Sequence, residues 1–160
     1  MAQVLLGLGS NKNPREHIRS ALNALTLHFG SLVQSPIYES ESVGFQGSHF
    51  LNMVVEITTS LPVGELLRRL RQIEDSHGRD RSQPKFASRT LDIDILTYDQ
   101  MVGTVDGVSL PRDEILKNAF VLKPLADNWP NTLHPEVNRS FLELWQNYDQ
   151  RSQKLWPVTL

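Results

Sequence analysis

The chain has 160 residues, 39% hydrophobic and 21% charged, the composition of one folded globular unit and not of a disordered tail. Sixteen basic against 18 acidic residues leave a formal net charge of −2, which argues against a protein that coats nucleic acid through a broad basic surface. The absence of cysteine excludes disulfides, thiolate zinc sites and cysteine nucleophiles. No run approaches the ~20 apolar residues of a membrane span. The first residues lack the basic region of a signal peptide, so a cytoplasmic setting without membrane contact is expected.

Val4 to Gly9 is short and apolar and reads as a buried strand. Asn13, Pro14 and Glu16 form a helix start, with a cap, a first-turn proline and a capping-box acid. Ile18, Leu22, Leu25 and Phe29 recur at helical spacing, and Gly30 supplies a stop. Residues 32–40 read as a strand that Pro36 makes irregular or confines to an edge, and 41–49 as a loop. From Phe50 to Thr58 the pattern alternates: Leu51, Met53, Val55 and Ile57 share one face; Phe50, Asn52, Val54 and Glu56 share the other. Pro62 opens a second helix with a stripe of Val63, Leu66, Leu67, Leu70 and Ile73, ending near Gly78. Leu91 to Tyr98 follows as a strand. The order βαββαβ predicts an α+β, ferredoxin-like core, an antiparallel sheet with helices on one face. Beyond it the sequence suggests a hairpin around Asp106-Gly107, a helical piece near 113–117, an apolar run at 119–125 and a last helix at Phe141 to Tyr148, all in a single domain spanning 1–160.

The segment Arg89-Thr90-Leu91-Asp92-Ile93-Asp94-Ile95 carries the strongest chemical signal. In a strand, Asp92 and Asp94 share the face opposite Leu91, Ile93 and Ile95, with Cα atoms about 6.6 Å apart. Two carboxylates at that separation repel by roughly 2.5 kcal/mol at an effective dielectric near 20. Aspartate is also a poor strand residue. The pair is either an ordinary solvent-facing one or a cation site, and oxygen ligands beside phosphates suit Mg²⁺. Arg79, Arg81, Lys85 and Arg89 precede it in a loop that is either solvated or built for polyphosphate. Glu74 continues the apolar stripe of its helix, so it either leaves the core at the helix end or pairs with a cation of that loop. Gly9-Ser10-Asn11 reads as a turn, since it lacks a full nucleotide fingerprint. The five histidines show no metal-ligand spacing and read as surface or capping residues. Trp129, Trp145 and Trp156 read as packing, whereas Phe50 and Phe86 are the candidates for stacking on a ligand.

Gly-Ser-Asn at 9–11, Phe-Leu-Asn at 50–52, Ile-Glu at 73–74, Gly-Arg at 78–79 and Arg-Thr-Leu-Asp-Ile-Asp-Ile at 89–95 occur in order. Ala-Phe-Val-Leu-Lys-Pro-Leu-Ala at 119–126 and His-Pro at 134–135 complete the pattern. Over residues 3–135 it resembles the 6-hydroxymethyl-7,8-dihydropterin pyrophosphokinases of folate biosynthesis. The resemblance implies transfer of diphosphate from ATP to the pterin hydroxymethyl group, with release of AMP. It implies two Mg²⁺ ions held by Asp92 and Asp94, with Arg79 and Arg89 on the phosphates as further catalytic residues. It assigns Glu74, Arg81, Lys85, Arg89 and Arg112 to ATP, with Arg81 and Lys85 on a loop that closes over the nucleotide. Val43, Phe50, Asn52 and Phe120 fall at the pterin positions. The implied partners are ATP and a reduced pterin, with no nucleic acid, and the chain is expected to act as a monomer.

The sequence departs from the family pattern where Arg112 replaces a common histidine, Asn118 an arginine, Phe86 a tryptophan, and Glu41 and Ser42 common prolines. Two rival readings stay open, the first motivated by Arg112 and Asn118 and the second by the paired acids on a ferredoxin-like sheet. One is a weakened member that binds a pterin or nucleotide without turnover; the other is a different Mg²⁺-dependent nucleotidyl or phosphoryl transferase. A ferredoxin-like RNA-binding module is disfavoured by the charge and by the lack of a strand with exposed stacking aromatics.

Overall fold

The computed structural model describes residues 1–41, 48–78 and 91–160. In chain order the elements are β1 (Ala2–Ser10), α1 (Pro14–Phe29), β2 (Val33–Gln34), β3 (Ile37–Ser40), β4 (Phe50–Thr59), α2 (Val63–Ser76) and β5 (Asp92–Tyr98). Then come β6 (Gly103–Val105), β7 (Val108–Leu110), α3 (Glu114–Lys117), α4 (Ala119–Asn128), α5 (Phe141–Gln146) and β8 (Leu155–Val158). The main sheet runs β5-β1-β4-β3-β8, every pair antiparallel, with β2 also on β4. Its first four strands are the ferredoxin-like arrangement that the periodicity predicts. The hairpin predicted around Asp106-Gly107 is β6-β7.

Alternation along the strands divides the core into two layers. Val4, Leu6, Leu8, Leu51, Met53, Val55, Ile57, Ile93 and Ile95 face α1 and α2, which contribute Ile18, Ala21, Leu25, Leu66, Leu70 and Ile73. The helical stripes are narrower than predicted, with Leu22, Phe29 and Leu67 at the rim of this layer. On the opposite face Leu5, Val54 and Leu96 lie under Ile115, Val121, Leu122, Leu125, Trp129 and Phe141 of the C-terminal helices. Those helices cover only part of that face. The rest carries the acidic pair.

Two local expectations are corrected and one element is added. Asn13 precedes α1 as predicted, but it is left-handed (φ 43°) and its side chain makes no capping bond; Pro14 still opens the helix. Residues 32–40 form two short strands, because the Ser35-Pro36 step breaks the ladder and Ser35 Oγ takes over by accepting from the Val54 N–H at 2.9 Å. The tail near Trp156 adds an edge strand, β8, paired with β3 from Ile37↔Val158 to Ser40↔Leu155. Pro157 sits there, as edge strands tolerate proline.

Candidate active site

Register places the acidic pair and the asparagine on one floor. Asp92 pairs with Gly9, Gly9 with Asn52, and Asn52 with Tyr38, so these four residues form a row across the sheet. The next row on the same face is Asp94, Gly7 and Val54. Asp92 and Asn52 thus lie two strand spacings apart, about 10 Å. Only glycines of β1 lie between. A Cβ on Gly9 would stand 2.7 Å from Asn52 Nδ2, so the asparagine side chain occupies the space that glycine leaves open.

Asn52 is 9% exposed and its Nδ2 reaches Leu8 O at 3.5 Å. Its Oδ1 is buried without a hydrogen-bond partner. An orphaned amide oxygen costs about 1–3 kcal/mol unless a donor arrives, so it marks a place for a ligand N–H or O–H. Phe50 lies two residues along on the same face of β4, half-buried, and pairs with Ser40. Phe120 sits in the first turn of α4 against the second core layer. It lines a cavity of about 290 Å³ with Ser40, Glu41, Gln153 and Leu155.

At the other end of the row, burial is the largest influence on Asp94 and Asp92 the next. Arg112 opposes them, and the outcome is a carboxyl pushed up to about 7. Its side chain keeps 29% exposure toward the open part of the face. Arg112 Nη2 lies 3.7 Å from Asp94 Oδ2 and 2.6 Å from Glu114 Oε1, and Nε bonds the same Glu114 oxygen at 2.9 Å. Burial works against the Arg112 charge; Asp94 and Glu114 outweigh it and raise its pKa. Glu114 Oε2 accepts from Asn118 Nδ2 at 3.1 Å, and Asn118 Oδ1 accepts from Gln153 Nε2 at 3.1 Å. Gln153 Oε1 then accepts from Ala119 N–H at 2.8 Å, one of the unpaired donors at the start of α4 and adjacent to Phe120. A polar chain therefore runs from Asp94 to the residue beside Phe120, through Arg112 and Asn118, two of the positions where the sequence departs from the family pattern.

Glu74 does not leave the core at the helix end. It is 1% exposed, accepts the Ile93 N–H at 2.7 Å and lies 3.5 Å from Arg71 Nη1. It ties α2 to the strand residue between the two aspartates. Arg79, Arg81, Lys85, Phe86, Arg89 and Val43 lie outside the described residues. The turn expected at Gly9-Ser10-Asn11 is corrected: Gly9 and Ser10 close β1, paired with Asn52 and Leu51, and the bend begins only at Asn11, where Ser10 Oγ donates to Lys12 O and Asn11 Nδ2 to Ser48 O. His134 is buried and its Nδ1 accepts from the Glu136 and Val137 N–H groups, a capping role. His17 and His77 meet edge to face at 6.0 Å, which their separation in sequence conceals.

Among the described residues no three His, Cys, Asp or Glu side chains gather around one point. Two carboxylates on an open strand face are too few to enclose Ca²⁺ or structural Zn²⁺. They fit Mg²⁺, which commonly takes one or two carboxylates and completes its shell with phosphate and water. Sequence reasoning did not single out Glu114, Gln153 or the glycine floor. The i,i+4 spacing of Glu114 and Asn118 was a visible signal; Gln153 had none, because its contact spans 34 residues.

A relative from Aquifex aeolicus (strain VF5), a 2-amino-4-hydroxy-6-hydroxymethyldihydropteridine pyrophosphokinase, is 36% identical over 145 residues, covering 89% of this chain and 90% of the relative. One of the same description from Bacillus subtilis (strain 168) is 39% identical over 126 residues, 76% of this chain and 75% of the relative. Among solved structures, the wild-type HPPK-DHPS of Plasmodium falciparum with pteroate matches with a TM-score of 0.72 at 16% identity, over 94% of this chain. The present chain spans 45% of that longer chain, and at such identity the match speaks for the fold. The model of the family described as 7,8-dihydro-6-hydroxymethylpterin-pyrophosphokinase (HPPK) matches residues 5–130, so the chain belongs to that family.

Proposed function

We propose that this chain transfers the β,γ-diphosphate of ATP to the hydroxyl of 6-hydroxymethyl-7,8-dihydropterin, giving the pterin diphosphate and AMP. The observation that carries the reading is the single row Asp92-Gly9-Asn52, an acidic end and an orphaned amide oxygen on one floor. Asp92 and Asp94 would hold Mg²⁺, two ions on the family pattern, which neutralises phosphate charge and polarises the reacting phosphorus. Asn52 Oδ1 accepts a ring N–H of the pterin; Phe50 and Phe120 supply aromatic faces, with Val43 assigned to the same end. Arg112 stands by the phosphates beside Asp94, and Arg79, Arg81, Lys85 and Arg89 are assigned there on the sequence pattern. Glu74 acts on the nucleotide side by holding the Ile93 backbone, which sets the directions of Asp92 and Asp94. The contribution of the chain is chiefly orientation and fixed charge. The same reading has the chain working as a monomer in the cytoplasm.

The test is a time course of AMP release with ATP, Mg²⁺ and the pterin, against controls lacking the pterin. Pterin-dependent AMP is the expected result. Pyrophosphate release without any need for pterin would favour a nucleotidyl transferase, and saturable pterin binding without AMP a sensing module.

A further inference from the structure

Arg112 stands between two acids, and its short contacts all go to one of them. Nε and Nη2 both bond Glu114 Oε1, at 2.9 and 2.6 Å, whereas Asp94 Oδ2 lies 3.7 Å from Nη2. Glu114 is itself held from behind, since its second oxygen accepts from Asn118. The Arg112 main chain is anchored too, its N–H bonded to Leu96 O at 2.8 Å on the strand that carries Asp94. The guanidinium is therefore within easy rotation of a bidentate pair with Asp94 and is kept from it by the better-placed Glu114. Such a pair would occupy the oxygens that a cation needs.

We propose that Glu114 is a positioning residue that holds Arg112 off Asp94 and so keeps the Asp94 carboxylate open to the divalent cation. The inference rests on the assignment of Asp92 and Asp94 to the cation. Replacing Glu114 lets the guanidinium close on Asp94 and compete with the metal. Removing Arg112 as well takes the competitor away.

The test measures Mn²⁺ binding without nucleotide, by electron paramagnetic resonance of the free ion, so that any contact of Arg112 with phosphate does not enter. Relative to the unaltered chain, Glu114→Ala is expected to bind Mn²⁺ about tenfold more weakly, the scale of a charged hydrogen bond redirected. Glu114→Gln, which keeps the shape but not the charge, is expected to show a smaller loss. The double variant Glu114→Ala/Arg112→Ala is expected to return to the affinity of Arg112→Ala alone. A structural role for Glu114 would lower the melting temperature without this recovery. Equal affinity in Glu114→Ala and the unaltered chain overturns the inference, as does a double variant that stays weak. No Mn²⁺ binding by the unaltered, folded chain overturns the assignment of the aspartates as well, which separates the two failures.

Discussion

At Gly9 the need for glycine is steric and concerns a neighbour. The missing Cβ lets Asn52 lie across β1 with its Oδ1 unpaired. Gly9→Ala is expected to displace that amide and weaken pterin binding about tenfold, in line with ~1–3 kcal/mol for overpacking, while nucleotide affinity stays near its original value. Fluorescence titration with the pterin and with an ATP analogue checks this; parallel loss of both would point to general damage. At Asp94 burial and Asp92 hold a carboxylate against its preference, so function and stability pull apart. Asp94→Asn is expected to cut turnover at least ~100-fold while raising the metal-free melting temperature by roughly 2–4 °C, about 1 kcal/mol. An unchanged rate sinks the metal role. A fall in melting temperature would mean that the Arg112 contact outweighs the burial and the repulsion.

At the scale of elements, α2 and β5 are joined at a buried point. Glu74 accepts the Ile93 N–H, so the helix sets the height of the strand between the two aspartates. Glu74→Ala leaves that N–H without its partner and is expected to cost about 2–3 kcal/mol in urea unfolding; Glu74→Gln, which retains an acceptor, costs under half of that. Similar losses in both variants would show that the charge, and not the acceptor, does the holding. The position was legible in the sequence, because Glu74 follows Leu67 and Leu70 at helical spacing. Its partner was not. The spacing pointed equally to a loop cation and to solvent, and only the packing of α2 on β5 brought Ile93 within 2.7 Å.

For the whole molecule, the acid response has a destabilising contribution from a buried histidine. Burial depresses the pKa of His134, with Glu136 acting in the opposite sense. The unfolded chain therefore binds the His134 proton first, and the His134 contribution to stability falls as pH drops below about 6.5 and through the folded-state pKa; Asp94, raised to about 7, contributes in the opposite sense, since the folded chain takes up its proton first. Protonation also ends the ability of Nδ1 to accept from Glu136 and Val137. His134→Asn, which keeps an acceptor without a titrating ring, is expected to gain stability at pH 5 relative to pH 7, compared with the unaltered chain, by urea unfolding. An unaltered slope would assign the acid loss to other groups.

The sequence by itself determined the order βαββαβ, the faces of the strands and the two aspartates on one side. Each of these follows from spacing of 2 or 3.6 residues and needs no knowledge of distant neighbours. The resemblance that the family match bears out came from motifs, Arg-Thr-Leu-Asp-Ile-Asp-Ile at 89–95 above all, and not from periodicity. Tertiary structure decided the rest. Register placed Asp92, Gly9 and Asn52 in one row, although 83 residues separate the first two in sequence. The tail returned as β8 beside β3, and Gln153 reached Ala119. The C-terminal helices covered Leu5, Val54 and Leu96 and left the acidic part of that face open. Periodicity assigns a side chain to a face; which part of that face is covered depends on the path of the distant chain.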